Sequence, residues 1–188
     1  MSWRARITCA LAIVGLVGLA AACGDGDSTT EKEGQRPKVV VSLPLLADLV
    51  REVGAERTDV STLLSPGADP HTFEPTPRDA QRLGEADLVF INGLGLEAAL
   101  ERVIQANVPS TVSVIRLAEE AGALPDADPH LWLSVENTTA YLNAVLSVLS
   151  EADPEGADRY RDNLDRYSNR LSELDGEVQR TIAAIPPE

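Results

Sequence analysis

The chain holds two histidines, and both stand in the same tripeptide, Asp69-Pro70-His71 and Asp128-Pro129-His130. Proline fixes its own φ and biases the residue before it toward extended backbone. Each imidazole therefore leaves a stiff, non-helical corner with a carboxylate two residues upstream. Neutral imidazole is the commonest side-chain metal ligand, and its second ring N–H usually needs an oriented acceptor. An isolated histidine is more often an ordinary surface or core residue. The duplication argues otherwise, and the pair reads as half of a metal site, with His71 and His130 as ligands. Asp69, Asp128 and Glu74 are candidates to orient the rings. Each nitrogen would sit about 2.0–2.1 Å from the ion if the metal is zinc. Two nitrogens alone hold a metal weakly and leave coordination positions open.

The N-terminus bounds where such chemistry would occur. Arg4 and Arg6 precede Ile7 to Ala22, an apolar stretch without a charge. That stretch is short for a membrane span of about 20 residues and reads as a secretory signal peptide over 1–22. Leu19-Ala20-Ala21-Ala22-Cys23 resembles a bacterial lipobox, with Leu one place further from Cys than usual. Cys23 is then the lipidated first residue of the mature protein. Cys9 leaves with the signal, so no thiol remains for a disulfide or a thiolate site. Any metal must be held by nitrogen and oxygen. Residues 23–36 carry no large apolar side chain and read as a flexible tether. The net charge of −14 argues against nucleic acid or an anionic membrane surface as partner.

Strand and helix signals alternate over 37–152, the expected metal-binding lobe. Short β-branched or apolar runs at Val39–Leu43, Val60–Leu64, Leu88–Ile91 and Val112–Leu117 predict four strands. Helical spacing covers Leu45–Val53, Pro77 to about Gly84, Glu97–Gln105, and about Glu136–Leu149. The expected fold class is α/β, a parallel four-stranded sheet flanked by helices. Ligands bind such sheets outside the carboxyl ends of the strands. His71 follows the second strand and His130 lies after the fourth, so both can reach that edge. From Asp153 to Ile185 one amphipathic helix of about 31 residues, about 45 Å long, is predicted. Its stripe is Tyr160, Leu164, Tyr167, Leu171, Leu174, Val178 and Ile182. A helix of that length suits a crossing from one lobe to another, and the expected second lobe is absent from this chain.

Three segments carry a family resemblance. Gly67-Ala68-Asp69-Pro70-His71-Thr72-Phe73-Glu74-Pro75-Thr76-Pro77 resembles the first ligand loop of the zinc/manganese substrate-binding lipoproteins of ABC importers. Asp87 to Glu97 resembles their third strand and its Asn-Gly turn. Asp128-Pro129-His130-Leu131-Trp132-Leu133 resembles their second ligand motif. The resemblance implies two α/β lobes joined by one long helix, with the metal bound between them. It implies His71 and His130 as the first lobe's ligands. A His or Glu and an Asp would come from the second lobe. It further implies delivery of zinc or manganese to a membrane permease driven by an ATPase, an extracytoplasmic lipid-anchored location, and a monomer when full length. The family's frequent Asp-Pro after the Trp-Leu pair is Ser134-Val135 here. The His-rich loop of some zinc-specific members is also absent, which weakens a zinc-only assignment.

Three rivals compete with this reading. Gly93-Leu94-Gly95-Leu96-Glu97-Ala98 follows a strand, opens a helix and precedes Glu119 by about twenty residues, which is nearly the dinucleotide-binding fingerprint. It follows the third strand, however, whereas the fingerprint opens the first βαβ unit. A metal-dependent hydrolase could use the same two histidines with Glu74 or Glu136 as base, yet catalytic zinc usually has three protein ligands. A lobe for an organic solute would expect an aromatic-lined pocket, and aromatics are 4% of the chain. Trp132 reads as a packing residue.

Overall fold

Valine and isoleucine make the middle of the sheet. The computed structural model describes residues 36–123 and 128–186, which excludes the leader, the tether and Cys23. Strands β1 (Lys38–Val41) and β3 (Leu88–Ile91) are buried almost throughout, as strands covered on both faces must be. The outer strands β2 (Asp59–Thr62) and β4 (Ser113–Arg116) are more exposed. All pairings are parallel, in the order β2-β1-β3-β4, with Val40 opposite both Ser61 and Val89. The order reverses between β1 and β3, so the loops leaving these two strands diverge and open a crevice at their carboxyl ends. The expected α/β class and all four strands are present.

The helices are α1 (Pro44–Gly54), α2 (Pro77–Gly84), α3 (Ala98–Asn107), α4 (Leu117–Glu120), α5 (Val135–Ala152) and α6 (Ala157–Ala183). Pro44 and Pro77 both sit in the first turn, where a missing N–H costs nothing. Helix α2 also carries a full capping box. Thr76 Oγ1 accepts from Asp79 N at 3.4 Å, and Asp79 Oδ2 accepts from Thr76 N at 2.8 Å. This box closes the loop that carries His71. Helices α1, α5 and α6 pack on one another, with Tyr141, Leu142, Val145 and Leu149 of α5 fully buried.

The last segment departs from the expected single helix. A 3₁₀ turn, Pro154–Gly156, precedes α6, so the continuous helix has 27 residues. Asp153 does not cap it. Its carboxylate instead accepts from Arg57 Nε and Nη2 at 2.7 and 2.8 Å and from Tyr160 Oη at 2.6 Å. The Arg57 guanidinium holds the Asp153 carboxyl below its usual range, and burial with this carboxylate pushes the Tyr160 phenol up to about 12. Asn163 Nδ2 donates to Val53 O at 2.8 Å, which ties the same end of α6 to α1. The far end is bare: Leu174, Val178, Ile182 and Ile185 are 45–66% exposed.

Two outcomes are expected from this packing. Asp153→Ala should lower stability at neutral pH by about 1–2 kcal/mol, read by urea denaturation, because it strands a half-buried guanidinium. A depressed carboxylate pKa gives stability that is present above about pH 4 and lost as pH falls through the lowered folded value. The difference between the two proteins should therefore shrink in acid; an undiminished difference at pH 2 would contradict the ion pair. Leu174→Gln/Ile182→Gln should reduce self-association in sedimentation at unchanged urea midpoint, since exposed apolar side chains are replaced without opening a cavity.

Candidate metal site

Two loops reach the crevice from opposite sides. The first runs from Ser65 to Thr76 and is stiffened by Pro66, Pro70 and Pro75. Within it Asp69 Oδ1 accepts from His71 N at 2.9 Å and Oδ2 from Thr72 Oγ1 at 3.1 Å. Such Asx-type turns hold a corner without helix or strand. The second loop repeats the turn: Asp128 Oδ1 accepts from His130 N at 2.9 Å. The shared tripeptide is thus one structural device used twice, and each Asp carboxyl lies below its usual range chiefly because it accepts that backbone N–H.

The two imidazoles face one another, with ring centroids 6.2 Å apart and planes tilted by 56°. Two rings bound to one tetrahedral ion at about 2.1 Å would have centroids about 5.2 Å apart, about 1 Å closer than these two lie. Of the three carboxylates expected to orient the rings, Asp128 does so: its Oδ1 lies 2.7 Å from His130 Nδ1. An ionised carboxylate accepts only, so in the neutral ring Nδ1 carries the proton and the Nε2 lone pair is free. Asp69 spends its oxygens on the His71 backbone and Thr72. Glu74 makes no hydrogen bond to either ring among the described residues. Trp132 meets His130 edge-on at 5.3 Å, consistent with a packing role. Leu43, Pro44, Leu45, Pro66 and Pro70 complete an open cleft of about 580 Å³ with these rings. Among the described residues no set of three His, Cys, Asp or Glu side chains could hold an ion.

Beneath the site lies a buried polar cluster that spacing alone did not reveal. Glu97 is 0% exposed, and its carboxylate accepts from Ser42 Oγ at 2.7 Å, Asn92 N at 2.8 Å and Gly93 N at 3.2 Å. Burial pushes the Glu97 carboxyl up, and these three donors oppose that by favouring the anion. Tyr141 Oη donates to Asn92 Oδ1 at 2.9 Å, and Asn92 Nδ2 donates to Pro129 O at 2.9 Å. The available signals were Ser42 closing a valine run and Glu97 opening an apolar helix. Both are polar residues where the pattern asks for apolar ones.

The same cluster disposes of the dinucleotide reading. In that fold, backbone N–H groups after a strand receive a pyrophosphate. Here Glu97 occupies the N–H groups of Asn92 and Gly93, and Leu94 N donates to Glu119 Oε1 at 3.3 Å. Gly93 has φ +89°, and a Cβ there would collide with the Glu119 carboxylate. The glycine serves a tight turn and a close approach by the chain's own acid. The hydrolase reading also lacks a third ligand among the described residues.

Comparisons with known proteins agree with the fold. The chain is 35% identical over 175 residues to the manganese-binding lipoprotein MntA of Halalkalibacterium halodurans, covering 90% of this chain and 58% of that one. It is 33% identical over 193 residues to the manganese ABC transporter substrate-binding lipoprotein PsaA of Streptococcus pneumoniae, covering 95% and 61%. The periplasmic zinc binding protein TroA from Treponema pallidum superposes with a TM-score of 0.73 at 28% identity, over 81% of this chain and 57% of that chain. A Mn-bound periplasmic metal binding protein from Candidatus Liberibacter asiaticus, 24% identical over 80% of this chain and 59% of that one, shares the fold with a TM-score of 0.72. The chain thus spans about three fifths of the length of these relatives. The family described as zinc-uptake complex component A, periplasmic, matches residues 39–188, and the chain belongs to that family.

Proposed function

We propose that this chain forms the first metal-capturing face of the extracytoplasmic substrate-binding component of a metal-ion ABC importer. The cargo is a divalent transition metal, zinc or manganese. The observation that carries the reading is the pair of facing imidazoles, one of them with its Nδ1 proton fixed on Asp128 and its Nε2 free. Names of relatives at 33–35% identity, a manganese-binding lipoprotein and a manganese transporter component, support the choice of cargo. The partners that follow are a membrane permease and its ATPase. The lipid on Cys23 would hold the protein at the outer side of the membrane, with residues 23–36 as its tether. Metal is carried and released unchanged, so the site needs no base or nucleophile.

The site has the features of half a coordination shell. Two neutral nitrogens supply modest affinity, and the choice between zinc and manganese depends on the hardness and number of the remaining ligands. An open cleft walled by proline and leucine suits closure by a second apolar surface, which would exclude water and strengthen every metal–ligand contact.

Calorimetric titration near neutral pH tests this directly. Zinc should bind weakly to the unsubstituted protein, manganese more weakly still because imidazole suits it less, and His71→Ala/His130→Ala should abolish the zinc heat. Equal binding by the double variant would make both Asp-Pro-His corners structural and remove the proposed site.

A further inference from the structure

Nothing in the coordination chemistry of the two rings explains what places the second one. Among the described residues, one hydrogen bond links segment 128–130 to the sheet, and it comes from Asn92 Nδ2 to Pro129 O. The other bonds of that segment are local: His130 N and Nδ1 to Asp128, and Leu133 N to His130 O. Asn92 itself is fixed from every side. It is 0% exposed, its N donates to Glu97 Oε1 at 2.8 Å, and its carbonyl accepts from Ala118 N at 3.0 Å. Its Nδ2 also donates to Gly93 O at 3.2 Å.

The orientation of the amide is set by its partners. Two carbonyl oxygens, of Gly93 and Pro129, lie on one side and demand the NH₂ group. On the other side stands the hydroxyl of Tyr141, itself 0% exposed, which donates to Oδ1. A flipped amide would set its oxygen against two carbonyl oxygens and its NH₂ against a hydroxyl already able to donate. Asn92 thus joins the end of β3 and helix α5 to the carbonyl immediately before His130. Proline at 129 adds stiffness between the tether point and the ring.

We propose that Asn92 is a positioning residue for His130, with its side-chain amide held in register by Tyr141. The proposal rests on the reading of His130 as a metal ligand. Asn92 touches no metal: it fixes the Pro129 carbonyl, and through it the place of the ring. His71, on the other loop, receives no such link from Asn92, so the effect is confined to one of the two ligands. Outer-shell partners of metal ligands commonly change affinity by about 10–100-fold when removed.

The chain's two histidines make this testable one ring at a time. Long-range ¹H–¹⁵N spectra of the metal-free protein contain two imidazole spin systems, assigned with His71→Ala. Asn92→Asp turns the NH₂ into a carboxylate oxygen facing the Pro129 carbonyl. It should shift the His130 imidazole, leave that of His71 in place, and weaken zinc binding about tenfold in competition with a chromophoric chelator. Tyr141→Phe keeps the amide and removes its orienting hydroxyl. It should produce the same His130-only shift with a smaller loss of affinity, and it decides the matter if Asn92→Asp fails to fold. Unshifted His130 resonances in the folded variants, or equal shifts of both rings, would overturn the proposal. His130→Ala separates the two ideas. Undiminished zinc affinity there would remove the metal reading, while a His130-only shift in metal-free Asn92→Asp would still support the tether.

Discussion

A carboxylate taken out of water must be met by donors, or it gives up its charge. Glu97 satisfies that demand with one hydroxyl and two backbone N–H groups, drawn from the ends of the two central strands. Those strands are the ones between which the sheet reverses its order. The crevice there is consequently lined at its base by a bonded polar cluster in place of loose loop ends. Ser42 also accepts from Leu64 N through its carbonyl, which starts the loop leading to His71. Asn92 continues the cluster toward His130. The two histidine-bearing loops therefore share one foundation, though His71 and His130 are 59 residues apart in sequence.

What could be read beforehand followed the physics that is local in sequence. Valine runs and helical apolar spacing act over a few residues, and the strands and helices they announce are present. The two Asp-Pro-His corners were legible for the same reason, since each carboxylate bonds a backbone N–H two residues away. What escaped was non-local. Asp153 looks like a cap for the helix that follows, yet a guanidinium 96 positions earlier takes it, and a 3₁₀ turn replaces the first turn of the helix. Asn92 looked like a turn residue and nothing more. Its bonding depends on Tyr141, 49 residues away. The glycine-rich stretch showed the right spacing for a phosphate cradle, and only the fold reveals that an internal carboxylate already fills it.

The histidine pair combines one constrained ring and one exposed ring. His130 is braced by Asp128 and Trp132, while His71 stands exposed on its loop, with its Asp bonded to backbone and hydroxyl. Under the proposed function, a braced ligand would set where the ion sits, and a looser one would adapt to it. This division fits a site that must take up a cation and later surrender it. Full rigidity would slow release, and full freedom would cost affinity through lost side-chain entropy.

Helix α6 is held at one end. Tyr160, Asn163 and Leu164 are buried near its start, and the clamp of Arg57 on Asp153 lies just before it. Tyr167 and Leu171 still pack against the core, and from Leu171 to Ala183 the helix runs roughly 18 Å at 1.5 Å per residue. Mechanically this is a cantilever, stiff along its length and fixed at the root. A rotation of about 5° at the root carries the tip through roughly 1.6 Å over that span. Side-chain adjustments around Asp153, each a fraction of an ångström, are thereby magnified at the far end of the rod. The alignment of that end depends on the joint hold of the Arg57–Asp153 pair, the Asn163–Val53 bond and the buried Tyr160 and Leu164 at the root.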